Sequence, residues 1–151
     1  MKVRGSRTLE SSRDAVFAAI LDPEILLAVI PGCRAVERID ETEYHAAIAL
    51  RLPGMVGAWQ TVVRVVDTDP PRSGGIEGEL TGALGSITGR ATFRLSDDGR
   101  GTTVDYEGTA VIGGPLARLD SRFVEGLAGS LVGQGLANID ARLRETAGAG
   151  T

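Results

Sequence analysis

The sequence predicts an α+β fold: one domain in which a curved antiparallel sheet of seven strands wraps a long C-terminal helix, with two short helices after the first strand. Three observations predict it. Seven short segments alternate apolar and polar residues between Gly, Pro and Asp turn signals. Each segment has one apolar face, and that face needs a cover. A single C-terminal segment of helical spacing is long enough to supply it.

The elements follow in chain order. Lys2 to Glu10 alternates loosely through Val3, Gly5, Arg7 and Leu9 and reads as the first strand. Ser11-Ser12-Arg13-Asp14 resembles a capping box, with an acid three residues after a Ser cap. Val16, Phe17, Ile20 and Leu21 follow at helical spacing. Asp22-Pro23 restarts the chain, because Asp suits an N-cap and Pro the first helical position. Ile25, Leu26, Leu27 and Val29 extend this second helix until Pro31-Gly32 ends it.

Six strands come next. Arg34–Ile39 is the second strand. Glu43–Leu52 is the third, with Tyr44, Ala46, Ile48 and Leu50 on one face and a turn at Pro53-Gly54 after it. Ala58–Asp67 carries Trp59, Thr61, Val63 and Val65 on one face. Asp69-Pro70-Pro71 breaks the chain. In Gly75–Thr81, Ile76, Gly78 and Leu80 oppose Glu77 and Glu79. Leu84–Leu95 alternates most clearly: Ile87, Gly89, Ala91, Phe93 and Leu95 against Ser86, Thr88, Arg90, Thr92 and Arg94. Asp97-Asp98-Gly99 is a hairpin signal, and Thr102–Ile112 places Val104, Tyr106, Gly108 and Ala110 inward.

A helix from about Pro115 to Glu145 closes the fold. Leu116, Leu119, Phe123 and Leu127 share one face, and Val132, Leu136, Ile139 and Leu143 share another about half a turn away. A kink or a change of neighbours is therefore expected near Gly129, Gly133 and Gly135. The domain spans residues 1–146, with 147–151 as a frayed tail.

Bulk properties narrow the function classes. Net charge is −4 with no Lys/Arg run, which argues against nucleic acid. No apolar leader and no stretch of bilayer-spanning length is present, so a cytoplasmic location is expected. Glycine is abundant at 21 residues and aromatics number six, so the core has few bulky fillers and a cavity is favoured.

Reactive groups are sparse. His45, the only histidine, shares a polar strand face and reads as a surface residue. The pairs Asp105/Glu107 and Glu77/Glu79 point away from the apolar set, whereas a general acid or base needs burial to tune its pKa. Gly85-Ser86 starts a strand and lacks the strand-to-helix turn of a nucleophile elbow. Gly74-Gly75 and Gly82–Gly85 lack the helix and the GK[ST] end of a phosphate loop. No metal-ligand spacing occurs, and Cys33 has no base near it in sequence. Trp59 reads equally as core or as a wall on which a ligand ring stacks.

Three stretches resemble the family of the carbon monoxide dehydrogenase G subunit, within the polyketide cyclase and START-like (SRPBCC) superfamily. The first runs from Asp22-Pro23-Glu24 through Ile30-Pro31-Gly32-Cys33 to Val36-Glu37. The second is Pro70-Pro71, Gly78, Gly82, Gly85, Gly89 and Ala91. The third is Thr103, Tyr106, Val111, Gly113-Gly114, Leu116-Ala117 and Ser121-Arg122. The resemblance implies the helix-grip fold of START and pollen-allergen proteins, with an internal cavity. It implies a non-catalytic accessory factor for a molybdenum hydroxylase of carbon monoxide dehydrogenase type. An isoprenoid quinone or lipid is the implied ligand, and the implied membrane contact is transient, at the inner membrane face. Longer members carry a membrane-contacting C-terminal extension, whereas this sequence stops at Thr151; the late aromatic pair of the family is replaced by Gln134-Gly135-Leu136-Ala137.

The expected cavity walls are Tyr44, Ile48, Trp59, Val63, Ile87, Phe93, Tyr106, Phe123 and Leu127, with Gly78, Gly89 and Gly108 leaving space. Neither a metal nor a covalent cofactor is expected. Two other readings compete: a small-molecule cyclase or hydrolase, whose only inward titratable groups would be Tyr44 and Tyr106, and an interaction module with a filled core.

Overall fold

The computed structural model describes the backbone of residues 1–52 and 55–149, and the side chains of 1–50 and 57–145. The expected turn at Pro53-Gly54 lies outside the described residues. The strands are β1 (Lys2–Leu9), β2 (Cys33–Arg38), β3 (Glu43–Leu52), β4 (Met55–Asp69), β5 (Ser73–Gly82), β6 (Gly85–Asp97) and β7 (Thr102–Gly113). They form one antiparallel sheet in the order β1-β7-β6-β5-β4-β3-β2. Sequential hairpins explain the run from β2 to β7, and β1 closes against β7 with Gly5 opposite Tyr106.

Two helices fill the link between β1 and β2. In α1 (Arg13–Ile20) the cap is Ser12, which accepts from the Ala15 amide. The capping-box pattern places the cap one residue earlier, but the Ser11 carbonyl is engaged by the Thr102 hydroxyl. In α2 (Pro23–Val29), Asp22 caps and Pro23 stands in the first turn, as its sequence predicts. Gly32 then turns the chain with φ +78°, and a Cβ there would collide with the Ala49 carbonyl oxygen. No other residue type fits that approach.

The expected single C-terminal helix is two elements. A 3-10 turn covers Gly114–Arg118, and α3 runs without interruption over Ser121–Ala149. The helix therefore starts six residues later and ends four later than its sequence pattern predicts. The physical reason is the Gly113-Gly114-Pro115 corner. Gly114 takes φ +74°, and the Leu116 amide bonds back to the Leu84 carbonyl at 2.8 Å, which holds this segment on the sheet. The phase of α3 is reset after it. Val124 turns inward in place of Phe123, which is 41% exposed. Of the two expectations for the middle of α3, the change of neighbours is the one observed: Leu127 packs at one end of the sheet and Leu136, Ile139 and Leu143 at the other.

The apolar interior is thus divided in two. The larger cluster joins Leu9, Val16, Phe17, Ala19, Val29, Leu95, Val104, Leu136 and Ile139, where α1, α2 and the second half of α3 meet the sheet. The smaller centres on Trp59 and Leu116, with Leu50, Leu80, Leu84, Ile87, Ile112, Leu119 and Leu127 packed on them.

Candidate functional site

Between the two clusters the inner face of β6 and β7 carries only glycine and alanine. Strand alternation and cross-strand register place Val63, Gly78, Gly89 and Ala110 in one row, and Val65, Ile76, Ala91 and Gly108 in the next. Larger rows flank this floor. Thr61, Leu80, Ile87 and Ile112 lie on the side of the Trp59 cluster; Phe93 and Tyr106 lie on the other. The Phe93 ring lies over Gly74 and the Tyr106 ring over Gly5, where an added Cβ would collide with them.

The roof is equally sparse. At about 100° per residue, Val124, Leu131 and Gly135 of α3 fall within about 40° of one line. Val124 is buried, so this line faces inward. A Cβ built on Gly135 nevertheless meets nothing within 4 Å. Gly135 and Leu131 lie along the helix between Leu127, which packs on the Trp59 cluster, and Leu136, which packs on the larger one. Val63, Ile76 and Ile87 sit mid-sheet on the inner face, yet remain only half-buried. A hollow therefore separates α3 from the centre of the sheet.

The expected wall residues distribute unevenly. Trp59, Ile87 and Leu127 meet at one end. Phe93 and Tyr106 pack at the other, and the Phe93 ring lies 6.1 Å from that of Phe17. Ile48 pairs with Trp59 across β3–β4, and Val63 pairs with Tyr44 and Gly78. Tyr44 is buried, but its hydroxyl is committed, donating to the Leu21 carbonyl at 2.7 Å. Burial pushes its pKa up, partly offset by Arg38, whose guanidinium lies 5.6 Å from the ring centre. Phe123 lies outside the hollow. Thr61, Leu131 and Gly135 are wall residues that sequence reasoning missed. The signals for them were a hydroxyl on an otherwise apolar strand face and a glycine in mid-helix.

The hollow carries little charge. On β4 from Trp59 to Val65, on β5, on β6 up to Leu95, and on β7, no inward position holds an ionisable group other than the Tyr106 phenol. His45 lies on the outer face, 3.0 Å from Glu43. Glu77 pairs with Arg90 there, and Glu79, Asp105 and Glu107 are exposed. Burial pushes the Cys33 thiol pKa up, with the Ala35 backbone contact partly opposing, and the net rise disfavours thiolate chemistry. Among the described residues no group of three His, Cys, Asp or Glu could hold a metal, and no helix is long and apolar enough to cross a membrane.

Two wide grooves mark the outer face as well. One of about 870 Å³ is edged by Arg4, Arg94, Asp105 and Glu107. The other, of about 700 Å³, is edged by Lys2, Arg64, Glu77, Glu79 and Arg90. Both carry charges of mixed sign and open to water, which suits an apolar ligand poorly.

The architecture matches known proteins. A family model described as the carbon monoxide dehydrogenase G subunit (CoxG) matches residues 5–144. A crystal structure of a conserved protein from Geobacillus kaustophilus is 24% identical, with a TM-score of 0.91 over 97% of each chain. A START superfamily protein from Mycobacterium smegmatis is 13% identical, with a TM-score of 0.73 over 96% of this chain and 98% of that one. The di-domain ARO/CYC protein StfQ from the steffimycin biosynthetic pathway is 14% identical, with a TM-score of 0.67 over 97% of this chain and 51% of its own. No curated protein matches the sequence significantly. The fold is the α+β helix grip, with START-like neighbours.

Proposed function

The chain belongs to the CoxG family of carbon monoxide dehydrogenase, and from that premise we propose that it is a non-catalytic binding protein that holds a quinone- or lipid-like molecule between α3 and the sheet. The observation that carries this reading is the hollow itself: a floor of Gly78, Gly89, Ala91, Gly108 and Ala110 under a roof that has open space at Gly135. Gly89 and Gly108 are also held by close packing, since an added Cβ would meet the Thr109 carbonyl oxygen and the Ala91 Cβ, but they leave no side chain to reach toward α3. An apolar body burying about 400 Å² there gains about 10 kcal/mol at ~25 cal/mol/Å². Association costs about 4–15 kcal/mol, so micromolar binding needs few polar contacts.

The scarcity of ionisable groups on the inner face supports binding over catalysis, because acid–base chemistry needs a tunable group beside the substrate. Family membership supports association with a carbon monoxide dehydrogenase complex; the reading adds an accessory role beside its molybdenum hydroxylase, on the cytoplasmic side with transient membrane contact. Native mass spectrometry of protein purified from its own host tests the reading. The expected result is a bound apolar molecule that is absent from the Gly135→Leu variant. Protein that carries nothing, and that takes up no quinone or lipid on titration, overturns it.

A further inference from the structure

The sheet has two edge strands, β1 and β2, and they are finished differently. A bare edge pairs readily with another chain, and proteins blunt it with a bulge, with charges or with a covering element. β2 is blunted: its register slips between Cys33 and Ala35, and Arg34, Glu37 and Arg38 mix the two signs. β1 pairs with β7 without a slip from Lys2 to Leu9, and it carries Lys2, Arg4 and Arg7 but no acid.

The hydrogen bonds show which groups of β1 face away from the sheet. Met1 and Ala110 exchange bonds of 3.0 and 2.9 Å. Bonded and non-bonded pairs alternate along antiparallel strands. Lys2, Arg4, Ser6, Thr8 and Glu10 therefore turn their amides and carbonyls outward. Two side chains of α3 take the end amides: Glu125 accepts from Lys2 at 3.2 Å, and Asp140 accepts from Glu10 at 3.0 Å. Between them Arg4, Ser6 and Thr8 are exposed, and among the described residues nothing bonds their outward backbone groups. The Lys2, Arg4 and Arg7 side chains likewise have no ion-pair partner among the described residues. At about 100° per residue, Gly129 and Val132 lie on the same side of α3 as Glu125 and Asp140. Space is open beside Gly129, and Val132 is 40% exposed. The helix thus holds both ends of the edge and leaves its middle uncovered.

We propose that the middle of β1 is a docking edge for an extended acidic segment of a partner protein, which joins the sheet as a further strand. An amide and a carbonyl on each of Arg4, Ser6 and Thr8 hold its backbone. Its acids meet Lys2 and Arg4 on one face of the sheet and Arg7 on the other. Opposite charges across a strand pair stabilise it and like charges oppose it, so a second copy of β1 is the poorer occupant.

Two capped heptapeptides, titrated into the nitrogen-15-labelled protein and followed by NMR, test the edge. One alternates Glu with Val; the other has Lys in place of Glu. The Glu peptide is expected to slow hydrogen exchange at the Arg4, Ser6 and Thr8 amides. It is expected to bind about 5- to 10-fold tighter than the Lys peptide, from the cross-strand charge pairs. Ser6→Pro removes one outward N–H and leaves the ladder to β7 intact. It is expected to weaken the Glu peptide about 3- to 10-fold at an unchanged unfolding midpoint. Arg4→Glu is expected to lower the affinity for the Glu peptide and raise it for the Lys peptide, and it decides the matter if Ser6→Pro fails to fold. Equal affinity for the two peptides overturns the acidic partner. Absence of binding, or binding that leaves the three amides exchanging freely, overturns the edge as the site. Protection of these amides that rises with protein concentration alone makes a second copy the occupant and overturns the partner segment.

Discussion

The two ends of the grip are built from the same strands and finished differently. At one end Leu9, Val16, Phe17, Leu95, Val104 and Ile139 are closely buried, and three helices close over them. Toward the other, the strands offer glycine and alanine, α3 offers Gly135, and the Trp59 cluster is capped by leucines on turns. The difference teaches that stability and binding are separated along one sheet. A small domain needs one well-filled core; having it, the remainder can be left open for a ligand.

Substitutions at the filled end should break the comparison most strongly. Leu95→Ala is expected to cost about 3–4 kcal/mol, read from urea unfolding, because Leu95 is 1% exposed. Leu127→Ala, a half-buried residue at the open end, should cost about 1 kcal/mol or less by the same area argument. Equal losses would erase the distinction.

Asn138→Ala comes next. The Asn138 amide donates to the Val29 carbonyl at 2.9 Å and pins the second half of α3 to α2. Its loss should cost about 1–2 kcal/mol in urea unfolding, with ligand affinity unchanged. A loss of affinity would mean that the two ends are coupled.

Gly135→Ala sharpens the comparison in the opposite direction. Replacing a mid-helix glycine that has open space at its Cβ should raise stability by about 0.5–1 kcal/mol, measured as a higher unfolding midpoint. Destabilisation would mean that the space under α3 is already filled.

The smallest effect is alkaline. Burial holds the Tyr44 phenol above its ordinary value of 10.0, with Arg38 opposing and Asp22 adding. A raised folded-state pKa means that its contribution is complete below the unfolded value and is lost as pH rises through the folded one. Unfolding midpoints measured from about pH 8 to 11 should fall at the alkaline end, and Tyr44→Phe should flatten that fall.

Several features were legible because they are local. The bounds of β3 and the inward residues of β3 to β7 follow from alternation, which is fixed by the pleat. The Asp22 cap follows from side-chain chemistry within one turn. His45, Glu77, Glu79, Asp105 and Glu107 fell on the outer face for the same reason. Others were not legible. The start of α3 depends on where the Gly113-Gly114-Pro115 corner rests on Leu84, about thirty residues away in sequence. That contact turned Phe123 out and Val124 in, and moved Leu131 and Gly135 onto the line that faces the sheet. The apolar neighbours of Thr61 on its own strand were legible, but its burial and its unpartnered hydroxyl were not.

By itself the sequence determined the order of the strands and the faces of β3 to β7, because periodicity and turn chemistry act within a few residues, while the family showed in its motifs. The tertiary structure alone decided how α3 is phased against the sheet, which rings cover which glycines, and which buried polar atoms lack partners. Those depend on the register of distant strands and on the phase of one helix above them, and neither is encoded within a single local window.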